Sequence, residues 1–357
     1  MPINLSTEQK DLAETLDDVW SGVAPGDDVW PSIRELGLTE IPFPGGSGGA
    51  DGTFRDLTVV MTGLGRVLGS APYLSSVVMA GLALLDAADR DTRDEVLPGI
   101  VSGARTAALV CGAGIVTSAI RGEVAGEREL TLSGVQHAVV DGESAELLVV
   151  VTTGPDGTDL ALVEGSAPGV RRSVGEQLDG TRQLATVEFD GATARRISGP
   201  DLASRLEGVR SRILIALAAE QVGLARRCLE MAVEYAGTRQ QFGRTIGSFQ
   251  GIKHKLVDLL IAIELAEATV LDASGGAERG SDGASAAEVA DFAAASRVLA
   301  SRAAMTAAEE AIQVHGGIGF TWEHSLHHYF RRAKADQLLF GDEYAYVQAV
   351  GESLTMG

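Results

Sequence analysis

Apolar positions along this chain follow two different periods, and the switches between them divide it into three. From Leu5 to about Arg105 they recur at three and four, as on a helix with one buried face. Ser6 and Thr7 ahead of Glu8 make a helix entry with an acidic first turn. PSIRELGL from Pro31 starts a second helix with proline near its first position. The loop PFPGGSGGADG, Pro42 to Gly52, is too glycine-rich for regular structure, and with no strand before it, it is no dinucleotide fingerprint. LTVVMTGLGRVLGSAPYLSSVVMAGLALLDA then resumes the helical pattern around a Gly-Ser-Ala-Pro break.

Near Arg105 the period shortens. TAALV, ELTLSG, AELLVVVTT, DLALVEG and QLATVEFDG are short runs rich in Val, Leu and Thr, bounded by Gly, Asp and Pro, which predicts a small antiparallel β domain. From about Asp201 long helices return. SRILIALAAEQVGLARRCLEMAVEYAGTRQQFG is followed by a break at Phe242 to Gly247 and by FQGIKHKLVDLLIAIELAEATVLDAS. An acidic, glycine-rich link, GGAERGSDGAS, leads to a segment whose alanine density suits close packing in a bundle. A further helix starts near His324 or Ser325, and a last one occupies Glu343 to Leu354. The pattern predicts an α+β chain: N-terminal helical domain 1–105, middle β domain 106–200, C-terminal four-helix bundle 201–357.

Composition narrows the function classes. At 357 residues the chain can bury a sizeable core, and no uninterrupted apolar run approaches a membrane span. Acidic residues in the first helix, without a basic and then apolar leader, argue against a secretory signal. Cys111 and Cys228, far apart, make a disulfide framework or a cysteine metal cluster implausible and point to the cytoplasm. The net charge of −20, from 29 basic and 49 acidic residues, repels nucleic acid and anionic lipid. A polyanionic ligand then needs a locally basic pocket. Arginines pair up at Arg226 and Arg227, Arg239 and Arg244, and Arg331 and Arg332, which are otherwise solvated helix faces.

Two stretches carry candidate chemistry. The turn Gly316, Gly317, Ile318, Gly319 lets backbone amides approach an anionic or nucleotide group. Upstream stand Arg239, Gln240, Gln241, Phe242 and Gly243. Each is common alone, as a turn or a helix end; together, in a helical domain after a β domain, they resemble the C-terminal domain of the acyl-CoA dehydrogenase family. Members of that family use FAD to desaturate acyl-CoA thioesters between the α and β carbons. The resemblance spans nearly the whole chain. It implies that Arg239, in a cofactor-binding segment with Gln241, Phe242 and Gly243, reaches across to the pyrophosphate of a neighbour's FAD, and that Gln313, Gly316 and Gly317 receive its adenosine end.

Elsewhere the chain departs from the family. Where relatives hold a T-E-P-x-A-G-S-D segment it has Val110, Cys111, Gly112, Ala113, Gly114 and Ile115. Where they hold K-x-W-I-T-N-G, Ala138 replaces the flavin-stacking aromatic and Val140 the hydroxyl. Those losses weaken flavin binding by several kcal/mol, on the order of one aromatic contact and two or three hydrogen bonds. Aligned through Arg331, Arg332, Ala333 and Lys334, the I-Y-E-G-T segment puts Phe340 at the glutamate base and Asp342 at the threonine. The alternative base position of some relatives, around Arg210, Ser211 and Arg212, has no carboxylate. Retained residues would thus serve a partner's flavin, and lost ones this chain's own.

The resemblance therefore implies a subunit without a catalytic residue, in an α2β2 hetero-oligomer with a homologous chain that carries the glutamate. Non-catalytic partner chains of actinobacterial enzymes for steroid side-chain thioesters have this character. Two alternatives stay open: a self-sufficient homo-oligomer using Asp342 or Glu343 as base, and a flavin-free scaffold. His324, His327 and His328, which could share a helix face, lack the accompanying ligands of a zinc site and read as structural or surface residues, like the lone His137 and His315. Glu323 reads as a helix-entry charge.

Overall fold

The computed structural model describes residues 5–154, 157–278 and 284–356; residues 279–283 of the glycine-rich link lie outside them. Helix α1 (Thr7–Val19) opens with a reciprocal cap, in which Ser6 Oγ accepts from Gln9 N and Gln9 Oε1 accepts from Ser6 N. Helix α2 (Trp30–Glu35) has Pro31 in its first turn, where a missing N–H costs nothing. Helix α3 (Phe54–Val67) is capped by Thr53 and ends at Leu68, which adopts a left-handed φ of 52°. After the Gly-Ser-Ala-Pro break, Tyr73–Gly81 winds as a π-helix with all nine residues buried, continuing into α4 (Leu82–Ala87); α5 (Arg90–Val101) follows. The wide π turns aim two hydroxyls at the β domain. Ser76 Oγ accepts from Ala107 N at 3.0 Å, and Ser75 Oγ donates to Asp141 Oδ2 at 2.5 Å.

Seven strands follow: β1 (Ala107–Val110), β2 (Arg121–Gly126), β3 (Glu129–Val140), β4 (Leu147–Gly154), β5 (Gly157–Glu164), β6 (Val170–Val174) and β7 (Leu184–Arg196). Pairings run β4–β2–β3–β7–β5 and return to β4, so the sheet closes around a core that includes Leu130, Leu132, Val150, Val187 and Phe189. The expected antiparallel domain is in fact mixed. β1 pairs with β4 in parallel from Ala107↔Leu147 to Val110↔Val150, because the β2–β3 hairpin intervenes and the chain re-enters beside β1 in the same direction. The pattern of Val, Leu and Thr also passes over β2 and β6, whose residues are mostly exposed and include Arg121, Glu123, Arg171 and Arg172.

The C-terminal part is helical. α6 (Leu202–Thr238) has 37 residues and ends at a small hairpin of β8 (Gln240–Gln241) and β9 (Arg244–Thr245). α7 (Gln250–Gly276) and α8 (Ala286–His315) pack against α6, α9 (Leu326–Leu338) lies on α6 and α8, and α10 (Glu343–Met356) lies on α8. Where α3 crosses α6 there is no room for side chains. A Cβ on Gly65 would fall 1.9 Å from Glu220 O, and one on Gly223 would fall 1.9 Å from Thr62 O. This crossing fixes the height of Glu220 on α6. Among the described residues no helix is long and apolar enough to cross a membrane.

Candidate functional site

The link between α9 and α10 carries Phe340, at the position the resemblance gives to the base. Its backbone is left-handed, with φ of 63°, and its ring is 6% exposed. A bulky L residue there costs about 1–2 kcal/mol and persists only where neighbours impose it. Two do. Tyr346 Oη donates to Phe340 O, and the buried Arg297 donates from Nη2 to Asp336 O and, at 3.1 Å, to Leu339 O. The turn is thus built and held, but a hydrocarbon ring occupies it. Of the two nearby carboxylates, Asp342 Oδ1 accepts from Tyr344 N at 3.1 Å, and Glu343 Oε1 pairs with Arg302 Nε at 2.6 Å. Both are committed to the start of α10.

Across a cleft of about 340 Å³ from Leu338 and Leu339 stands the edge of β3. A bulge between Gln136 and Val139 puts exposed Ala138 at φ of 58°, and His137 Nδ1 lies 3.0 Å from Thr186 Oγ1. Val140 is buried in the core, and Asp141 is turned to Ser75. The loop after β1 folds on itself, with Gly112 N donating to Thr117 O at 2.6 Å and Ile115 fully buried. A flavin ring would therefore find a methyl group where it stacks in relatives, and no hydroxyl from Val140. This side does not fit the cofactor.

Beneath the cleft lies a cluster of charges that pattern reading alone does not reveal. Arg332 Nε donates to Asp179 Oδ2 at 2.5 Å, Nη1 to Glu220 Oε1 at 2.6 Å and Nη2 to Thr181 Oγ1 at 2.6 Å. Arg182 bridges Glu220 Oε2 at 2.5 Å and Asp336 Oδ1 at 2.6 Å. Arg332 is thus no solvated helix face; only 2% of its side chain is exposed. Burial pushes the Asp336 carboxyl up to about 7 despite Arg182, with Glu220 adding to the rise. Burial alone would raise the Asp179 carboxyl, but Arg332 and the hydrogen bonds from Thr181 N and Oγ1 together hold it below the usual range.

The other retained residues sit at the far end of the bundle. The Tyr235 ring stacks on His315 at 4.3 Å, tying the end of α6 to that of α8, which places Arg239 and the Gly316 turn at the same end. Arg239, Gln241, Phe242, Gly243, Gln313 and Gly317 are all exposed, Phe242 by 91%. Gly316 has φ of 63°, and Cβ atoms on Gly243, Gly316 or Gly317 would meet nothing within 4 Å. An open face with a guanidinium and free glycine backbone suits a phosphorylated ligand. The sequence-derived residues therefore form two groups, the Phe340 turn with the Ala138 edge and the Arg239 with Gln313 end.

His324 precedes α9 instead of sharing its face. Its ring lies 4.6 Å from that of His315, while the His327 and His328 rings are 4.0 Å apart. Among the described residues no three His, Cys, Asp or Glu are grouped to hold a metal ion. Glu323 is exposed in the turn before α9, and Cys111 and Cys228 are free and buried.

Residues 6–104 match the acyl-CoA dehydrogenase N-terminal domain and residues 210–354 the acyl-CoA dehydrogenase C-terminal domain. The acyl-CoA dehydrogenase IpdE2 of Mycobacterium tuberculosis is 35% identical over 306 residues, 85% of this chain and 80% of the relative. Among solved structures, a chain of the ChsE4–ChsE5 complex from Mycobacterium tuberculosis superposes with a TM-score of 0.88 at 26% identity over the whole of both chains. A variant of the Tcur3481–Tcur3483 steroid ACAD gives 0.87 at 27% identity over 98% of each. With both terminal domains matched and a relative this similar over most of its length, the chain belongs to the acyl-CoA dehydrogenase family of FAD-dependent oxidoreductases.

Proposed function

We propose that this chain is the partner subunit of a heteromeric acyl-CoA dehydrogenase acting on a bulky, steroid-type acyl-CoA, and that it has no base of its own. Phe340 carries the proposal: the turn that would present a base is formed and clamped, yet it buries an aromatic ring. Bound FAD supplies the acceptor for the hydride that leaves the β carbon of the thioester. The part of this chain is to hold that cofactor in the neighbour, with Arg239 against its pyrophosphate, Gln241, Phe242 and Gly243 shaping that wall, and Gln313, Gly316 and Gly317 at its adenosine end. A homologous chain then brings the glutamate and an intact flavin-stacking face, in an α2β2 assembly in the cytoplasm. Within this chain we take the division as 1–105, 106–200 and 201–357. The relatives support the reading, one being a two-protein complex and another a steroid ACAD.

The test is the visible flavin absorbance per chain, for this protein purified alone and co-purified with a glutamate-bearing sister chain. Colourless protein alone and about one FAD per pair is the expected result. A yellow protein by itself would overturn the proposal and return attention to Asp342 and Glu343.

A further inference from the structure

The buried charges between β7 and α9 are unequal in a way the split-site reading does not use. Three carboxylates, Asp179, Glu220 and Asp336, share the two guanidiniums of Arg182 and Arg332. A third buried guanidinium, Arg297, hydrogen-bonds the neutral acceptors Asp336 O, Leu339 O and Gln221 Oε1, and its charge also acts on the Asp336 carboxyl. Asp336 is the least satisfied member. It is 1% exposed, only its Oδ1 is paired, and its Oδ2 has no hydrogen-bond partner. Asp141, whose carboxyl burial also raises, adds a fourth negative group from the end of β3.

We propose that this cluster is a proton-linked clasp between the β domain and the helical bundle. One surplus proton keeps it shut, and loss of that proton loosens the loop before β7 from α9. The excess of four carboxyls over three guanidiniums, with Asp336 Oδ2 left without a hydrogen-bond partner, carries the proposal. A buried carboxylate without its share of positive charge is strongly disfavoured, so the cluster either keeps a proton or separates. The parts it would separate are those it joins. Asp179 and Arg182 lie in the loop before β7, Glu220 and Gln221 on α6, Arg297 on α8, and Arg332 and Asp336 on α9. Asp179, Arg182 and Asp336 also line the cleft beside Ala138, so separation opens that cleft.

The sign follows from linkage. Asp336 holds its proton to about pH 7 when folded and releases it in the ordinary carboxylate range when unfolded. The folded state therefore binds more protons in between, and its advantage is lost as pH rises through 7. The experiment is hydrogen exchange, corrected for intrinsic rates, on the full-length chain at about pH 6 and about pH 8.5. Segments 176–186 and 332–340 should lose about tenfold of their protection at the higher pH, the change that one proton lost near pH 7 supplies. Asp336→Asn should fold and show no such loss. Equal protection of those segments at both pH values would overturn the clasp, as would a variant with an undiminished loss. Neither result depends on flavin, so failure here is separable from failure of the colour test.

Discussion

Arg332 shows how much a side chain's meaning depends on what folds against it. In the sequence it is the second arginine of a pair on an amphipathic helix, and the one acidic residue at helical spacing, Asp336 four positions on, is not among its hydrogen-bond partners. In the fold it meets Asp179 and Thr181, more than 150 positions earlier, and Glu220, 112 earlier. Removing it leaves buried Asp179 with Thr181 alone and buried Glu220 with Arg182 alone, so Arg332→Ala should destabilise the chain by about 3–5 kcal/mol, measured by urea unfolding. Arg171→Ala is the control. That arginine also contacts two carboxylates, Glu188 and Asp190, but all three are well exposed, and the midpoint should hardly move. At Phe340, Tyr346→Phe deletes one hydrogen bond to a left-handed carbonyl and should cost about 1 kcal/mol in the same assay. That position 340 corresponds to the base is what the resemblance implies, through the register of Arg331 and Lys334. The clamp was not legible, because Arg297 and Tyr346 come from other helices.

At the scale of elements, the long helices and the inward-facing strands could be read because each carries its own period. β2 and β6 could not, since RGEVAG and VRRSV owe their strand geometry to neighbours and not to an apolar face. The glycines of α3 and α6 illustrate the same limit. Nothing local distinguishes Gly223 from Gly208 on α6, yet a Cβ at Gly223 would collide with the backbone of α3, whereas one at Gly208 meets only the tip of Arg212 at 4.0 Å. Gly223→Ala should therefore cost more than about 2 kcal/mol, because a backbone carbonyl must move. Gly208→Ala, exposed within a helix, should instead gain about 0.5–1 kcal/mol. Thermal unfolding of the two variants side by side checks both signs. If Gly223→Ala also pushes α6 away from α3, Glu220 moves with it, and Arg182 and Arg332 lose part of their shared partner.

For the whole molecule the question is which surfaces expect a neighbour. A net charge of −20 keeps copies of this chain apart, yet α7 exposes Val257, Leu260, Ile261 and Leu265 at helical spacing, and Phe242, Phe320 and Trp322 project from the bundle and its end. Assembly and cofactor retention can be separated, because the proposed function gives Arg239 a charge-borne contact with the cofactor, while Ile261 presents only apolar surface. Arg239→Ala, exposed and on no buried contact, should leave the unfolding midpoint and the mass of the co-purified assembly unchanged and lower its flavin content. Ile261→Asp should act on mass, since one more negative charge on an apolar contact opposes docking with a sister chain. Light scattering coupled to absorbance reads both quantities in one run. A flavin content untouched by Arg239→Ala at intact mass would remove the cross-subunit role assigned to that arginine and leave Gln313 to Gly317 to account for whatever cofactor the assembly holds.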